Sequence, residues 1–274
     1  MAAPFTRSSL GRGPALALFN THTFFTSGDI LSRLGPVWKA VMTSMYGEVD
    51  SAITDRVYKI PLRLWGAWEN LTDIFPAGVM NPVIGSAIFG SSDATFTIWA
   101  RNGDKIVFTN AAVTKVANLH LGVDSDLFAA DVEITAICGN TANPEDANAY
   151  YTLTNSALTE NAFTKTNFKK SRWSAAWGAL TGFTSFVGQK GFEIGWTMDL
   201  KPVPVDGWGT RDFTLSAFKG QCKCIPIGPT LAQLEAQAAA QGCALGTLLS
   251  NTSADLTVTA ASSGSVVLKN AAIR

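Results

Sequence analysis

Strict alternation of apolar and polar residues marks the clearest segments of this chain. Over Phe192–Leu200, residues Phe192, Ile194, Trp196, Met198 and Leu200 fall on one face, and Glu193, Gly195, Thr197 and Asp199 fall on the other. That period of two is the signature of a half-buried antiparallel strand. Thr95–Ala100 and Asp131–Ala136 alternate in the same way, and the short apolar run Ala15–Phe19 reads as a first strand. Asn102-Gly103 lies between Thr95–Ala100 and Lys105–Asn110. It predicts a tight hairpin, because both residues tolerate positive φ.

Helical spacing is rarer. Thr230 with Gln233 forms a capping box after Pro229; Leu231, Leu234 and Ala238 share a face, and Gly242 can close the helix. A second helix is predicted from about Leu64 to Phe75, with Trp65, Trp68, Leu71 and Phe75 in a stripe and Pro76 as its stop. Residues Ile30–Asp50 fit either a helix or a long arm that reaches neighbours, carrying Val37, Trp38, Val41, Met42, Met45 and Tyr46. Asn140–Lys170, rich in Asn, Thr and Ala, reads as a linker. It places a first β domain at 1–138, the linker at 139–170 and a second β domain at 171–274.

Composition narrows the function classes. Of 274 residues, 47% are apolar and only 15% charged, with 21 basic residues balancing 21 acidic ones. Disorder needs the opposite balance, and a nucleic-acid binder driven by charge needs a basic excess. No apolar run approaches the roughly 18–20 residues of a membrane span. The apolar stretch near the N-terminus is too short for a secretory signal. The four cysteines, Cys138, Cys222, Cys224 and Cys243, lack metal-site spacing and read as buried thiols. His22 and His120 sit in strand-like contexts.

The chain also resembles itself. Ile106-Val-Phe-Thr-Asn-Ala-Ala-Val113 recurs as Val266-Val-Leu-Lys-Asn-Ala-Ala-Ile273, and Asp93-Ala-Thr-Phe-Thr-Ile98 recurs as Asp255-Leu-Thr-Val-Thr-Ala260. A predicted helix precedes each hairpin, and a strand precedes each helix, Val57–Arg63 and Phe213–Ile225. Matched order at a long period is the mark of duplication. The first copy continues into the Asp131–Ile137 strand, for which the second copy offers no counterpart before Arg274.

No catalytic constellation is present: no phosphate loop, no His-Glu-x-x-His and no Gly-x-Ser-x-Gly. Asp124 and Asp126 read as solvated loop residues. The reading is therefore of a non-enzyme without metal or cofactor. Among the tryptophans, Trp65, Trp68, Trp99 and Trp196 take core positions; Trp38, Trp173, Trp177 and Trp208 are the candidates for exposed platforms of a lectin-like module.

Asp55-Arg-Val-Tyr-Lys-Ile-Pro-Leu-Arg-Leu-Trp-Gly-Ala-Trp-Glu-Asn-Leu71 with Phe75-Pro76, the Lys105–Lys115 segment, the Phe128–Ile137 strand and Gly228-Pro229-Thr230 resemble tail tube proteins of long-tailed bacteriophages and prophages. The resemblance implies a mainly β fold of two tail-tube-like barrel or sandwich domains, each with one helix. It implies a homo-oligomer of stacked rings, placed in the virion tail and assembled in the host bacterial cytoplasm. Its partners would be itself and the tape measure, terminator and baseplate proteins, with double-stranded DNA passing through unbound and no membrane involved. Most such rings hold six single-domain subunits, so the duplication implies a trimer with pseudo-sixfold symmetry; a hexamer with one decorating domain is the alternative. A terminator, baseplate or decoration protein is the other tail component of this kind. Six domains giving four strands each make about twenty-four strands, and ~4.8 Å spacing with ~40° tilt gives a circumference of about 150 Å. The lumen is then about 35–40 Å wide, enough for a B-form duplex. DNA passage requires a wall that does not hold phosphate. The candidate lumen residues are Thr95, Thr97, Asp104, Thr257 and Thr259.

Overall fold

The computed structural model describes residues 15–19, 22–27, 33–65, 83–90, 94–100, 103–121, 129–139, 142–144, 146–157, 173–178, 183–227, 253–260 and 265–272. The fold is mainly β. Strands β1 (Ala15–Phe19) and β2 (His22–Ser27) form a tight hairpin, β3 (Arg33–Thr43) and β4 (Gly47–Trp65) a long one, and β5 (Phe96–Ala100) and β6 (Asp104–Phe108) a third. Then come β7 (Ala111–Leu121), β8 (Ala129–Ala136), a 3-10 turn at Ala147–Ala149 and β9 (Tyr151–Asn155). After β10 (Trp173–Trp177) and β11 (Val187–Gly188), a second long excursion runs out along β12 (Phe192–Val205) and back along β13 (Gly209–Lys223). The chain continues through β14 (Pro226–Ile227), β15 (Ala254–Ala260) and β16 (Ser265–Ala271).

These strands fall into two compact units. The first comprises Met1–Ala117, Ala130–Asn167 and Trp196–Lys219; the second comprises Asn118–Ala129, Phe168–Gly195 and Gly220–Arg274. The large sheet has the order β13-β12-β7-β8-β4-β2-β1-β5-β6-β9, with β3 attached to β4. Pro36 pairs opposite Arg56 on β3. A proline has no amide to donate to a ladder, so an edge strand is where it is tolerated.

In the first unit a cross-strand aromatic row fixes the register. Phe19 lies opposite Phe96, Phe96 opposite Phe108, and Phe108 opposite Tyr151. Ring centroids along the row are 6.1–6.3 Å apart. Tyr58 of β4 packs on Phe108, Tyr150 and Tyr151 at 5.6–5.9 Å. In sheet order β4 and β6 are separated by three strands, so the sheet curls until β4 covers its far end. A second cluster, Ile88, Phe89, Ala112, Ile137 and Leu215, is packed by Val57, Met198, Leu200, Phe213 and Phe218.

The second unit holds the three-stranded sheet β10-β15-β16 and the pair β11-β14. Its aromatic contacts run Trp177–Phe183–Phe186–Phe192, with centroids 5.5–6.2 Å apart. The Trp177 indole donates to the Ala271 carbonyl at 3.0 Å, tying β10 to β16.

The alternating segments form the strands expected of them. The Asn102-Gly103 hairpin pairs Thr97 with Val107 and Ile98 with Ile106, and Gly103 has φ 91. One open choice is decided and three expectations change. Of the two readings of residues 30–50, the described part takes the extended one: β3, a turn at 44–46 and the start of β4 make a long β-hairpin rather than a helix. The first predicted helix cannot begin at Leu64, because β4 continues to Trp65; residues 66–75, and the second predicted helix, lie outside the described residues. The linker reading fails over 146–157. There Tyr150 is buried and β9 pairs with β6, because Tyr151 completes the aromatic row. The unit boundaries are consequently discontinuous rather than falling at 138 and 171.

Candidate assembly surface

The tip of the β3–β4 hairpin is the largest apolar exposure among the described residues. Met45 is 81% exposed, Tyr46 77% and Met42 66%, with Val41 and Val49 beside them. The tip is shaped locally. Tyr46 N donates to Thr43 Oγ1 at 3.2 Å, and Gly47 takes φ 72, a conformation that a Cβ would strain. Two irregularities, at Val37/Trp38 and Val41/Met42, bend the ladder. Of the arm residues, Val41, Met42, Met45 and Tyr46 are therefore the exposed apolar ones at the tip. Val37 and Trp38 lie in the ladder opposite Asp55 and Ile53, and their side chains are outside the described set.

The β12–β13 hairpin ends differently. Trp208 at its turn is half-exposed, but the Arg211 guanidinium lies 4.7 Å over the ring. Arg211 also donates to the Gly139 and Ala142 carbonyls at 2.6 and 2.9 Å. This tip is held by its own unit. At its foot the Asp55 carboxylate accepts from the Thr210 amide at 3.0 Å and from the Thr210 hydroxyl.

Asp212 gathers several backbone groups. Its carboxylate accepts from the amides of Ile88, Phe89 and Gly90 at 3.0–3.1 Å, fastening segment 83–90 to β13. Sequence gave no sign of this role, because the partners are more than a hundred residues away. Asp212→Ala is expected to lower the folding free energy by about 1–3 kcal/mol, since the buried Phe89 amide loses its acceptor. A fall in the urea midpoint at unchanged slope measures it; an unchanged midpoint counts against the assigned role.

The five lumen candidates do not share one open face. Thr95, Asp104 and Thr259 are exposed and Thr257 is half-buried, but Thr97 is only 7% exposed. Thr97 sits on an interior strand between Leu18 and Val107, and β5 is covered on both faces. Asp104 accepts from the Asn155 amide group at 2.8 Å. Close to Thr257, a hydrogen bond from Lys269 holds the Asp255 carboxyl below its ordinary value.

The tryptophan and cysteine expectations also shift. Trp177 is buried and Trp173 half-buried, so neither is an open platform. Trp99 is not core: it is half-buried, with Lys105 Nζ 4.8 Å over its ring and its indole donating to the Ser156 carbonyl. Cys138 is buried, but Cys222 and Cys224 are only half-buried, at the end of β13 where the ladder breaks. Burial pushes the Tyr150 hydroxyl up to about 12, and it donates to the Pro144 carbonyl. Asp124, Asp126, Cys243 and the cluster Lys165, Lys169, Lys170 and Arg172 lie outside the described residues. Among the described residues, no group of three or more His, Cys, Asp or Glu is placed to hold a metal ion, and no helix is long and apolar enough to cross a membrane.

No family model matches the chain, and no curated protein matches its sequence.

Proposed function

We propose that this chain is a non-enzymatic structural protein of a bacteriophage virion. In this reading it contains two duplicated tail-tube-like β motifs and polymerises as stacked trimeric, pseudo-hexameric rings. The tube is the channel for DNA ejection, and the chain works with other tail proteins without binding DNA specifically.

One observation carries the duplication. In the first unit, antiparallel neighbours place Phe24 beside Ala17, Ala17 beside Ile98, and Ile98 beside Ile106. In the second unit the same row reads Phe186, Ala175, Val258 and Val266. The outer pairing repeats as well. Phe25 faces Trp65 and Thr26 faces Leu64 in the first unit; Val187 faces Ile227 and Gly188 faces Pro226 in the second. The order β4-β2-β1-β5-β6 is thus answered by the pair β14-β11 and the sheet β10-β15-β16, linked by the single bridge between Phe186 and Ala175. The internal sequence match sets Ile98 against Ala260, whereas the register sets it against Val258. The second turn is two residues shorter, and a two-residue shift keeps every side chain on its face. Two motifs per chain supply six ring positions from three chains, and sheet edges that neighbours complete are no longer free to aggregate.

Sedimentation equilibrium tests the stoichiometry. A three-chain species is expected; six-chain rings without it favour a hexamer with a decorating domain. The wall is tested separately. Thr95, Thr257 and Thr259 replaced together by Lys are expected to leave tubes intact and slow DNA delivery, through phosphate attraction. Unchanged infectivity removes these residues from the lumen.

A further inference from the structure

Two thiols at the end of β13 carry chemistry that an assembly surface does not use. From Gln221 to Ile227 exposed and half-buried residues alternate strictly, so Cys222 and Cys224 lie on one face and Lys223 between them on the other. Both are free of any disulfide. The Cys222 thiol donates a hydrogen bond to Cys224; that bond pushes the Cys222 thiol above its ordinary value and holds the Cys224 thiol below it. Cys224 is thus the readier thiolate, and Cys222 keeps its proton. The backbone that carries them is fixed just beyond. Gln189 N donates to Ile225 O at 2.8 Å, and Pro226 and Ile227 of β14 pair with Gly188 and Val187 of β11. Residues 187–189 and 221–227 all belong to the second unit.

Spacing decides what such a pair can hold. Same-face neighbours on a strand stand about 6.6–6.8 Å apart, two rises of about 3.3–3.4 Å. A disulfide needs Cβ atoms about 3.5–4.5 Å apart, so it would have to pucker a backbone that β11 holds in place. Two thiolates on one metal ion need less movement: at bonds of about 2.3 Å their sulfurs stand up to about 4.6 Å apart. Zinc asks for four ligands, and among the described residues no third His, Cys, Asp or Glu joins the pair to hold a metal. Soft thiolate ligands favour copper(I). We infer that Cys222 and Cys224 together form a two-coordinate site for a soft monovalent cation of the copper(I) class. One cation takes the place of both thiol protons, which leave to water, and no electron moves. The occupied site carries one negative charge, and Lys219 and Lys223 of the same strand supply positive charge beside it. Binding to the folded chain alone would also stabilise it by mass action. A thiol pair of this kind acts independently of any role in a phage tail.

Two measurements on the full, reduced chain test it. In the first, the chain is titrated with copper(I) without oxygen, in competition with a coloured copper(I) chelator. Tight uptake of one ion per chain is expected, lost in Cys222→Ser and in Cys224→Ser and kept when Cys138→Ala and Cys243→Ser are combined. Uptake that survives both single variants, or that vanishes from a folded Cys138→Ala, Cys243→Ser chain, overturns the inference. The second needs no variant. Bound copper(I) is expected to shield Cys222 and Cys224 from iodoacetamide, as read by peptide mass, and copper K-edge absorption is expected to show two sulfur ligands. Alkylation of the pair at the same rate with and without copper(I), a third sulfur on the metal, or a Cys222–Cys224 disulfide in place of the bound ion overturns it.

Discussion

Replacing Val41, Met42, Met45 and Tyr46 together by Ser is expected to abolish polymerisation and leave the fold intact. These side chains protrude from the hairpin and contribute little to either core. Burial of each against a neighbour is worth about 1.5–3 kcal/mol. Even with incomplete additivity, losing four removes on the order of 5 kcal/mol per contact. That weakens association by more than about a thousandfold, at roughly 1.4 kcal/mol per factor of ten. The turn survives, because Thr43 and Gly47 are unchanged. Sedimentation velocity reads the result. Assemblies of ordinary size from the variant would show that the tip is not an interface.

The largest loss of stability is expected from Phe108→Ala. Phe108 is 2% exposed and touches Phe96, Tyr151 and Tyr58. Truncating a buried phenylalanine typically removes about 3–5 kcal/mol, the transfer free energy plus the cavity. Native domains are stable by only about 5–15 kcal/mol, so the first unit should be unfolded over much of the accessible denaturant range. The row crosses four strands, and the loss should therefore appear as one cooperative shift, followed by near-ultraviolet circular dichroism. A change below about 1 kcal/mol would mean that the aromatic row does not hold the register.

Local chemistry made some elements legible and distance hid others. Phe192–Leu200 declared itself because its alternation matches its burial at every position but Gly195, and Gly103 because only a turn uses that dipeptide so well. The β3–β4 hairpin was ambiguous because its tip is apolar on both faces, which erases the period of two. Residues 146–157 read as a linker because a strand of Tyr, Thr, Leu and Asn at a sheet edge needs no apolar pattern. Thr97 looked like a wall residue because alternation reports one covered face, and β5 is covered on both. Asp212 and Arg211 were invisible for another reason. Each takes its function from backbone groups far away in sequence, and nothing in their neighbours encodes that meeting.

The apolar hairpin tip was nevertheless present in the sequence. Val41, Met42, Met45 and Tyr46 stand out as large apolar side chains without a predicted core to enter. The internal likeness was present too, as paired segments around Asn110 and Asn270. Register supplied the missing link by setting Phe24, Ala17 and Ile98 against Phe186, Ala175 and Val258.

The central claim is that two like motifs in one chain build pseudo-sixfold rings that stack into a hollow tube. Negative-stain electron microscopy of the purified, concentrated chain, with class averages viewed down the ring axis, tests it most directly. Hollow rings or tubes of threefold, pseudo-sixfold symmetry are predicted, with a lumen of about 35–40 Å. Solid particles, twofold dimers or rings of another symmetry would contradict the account.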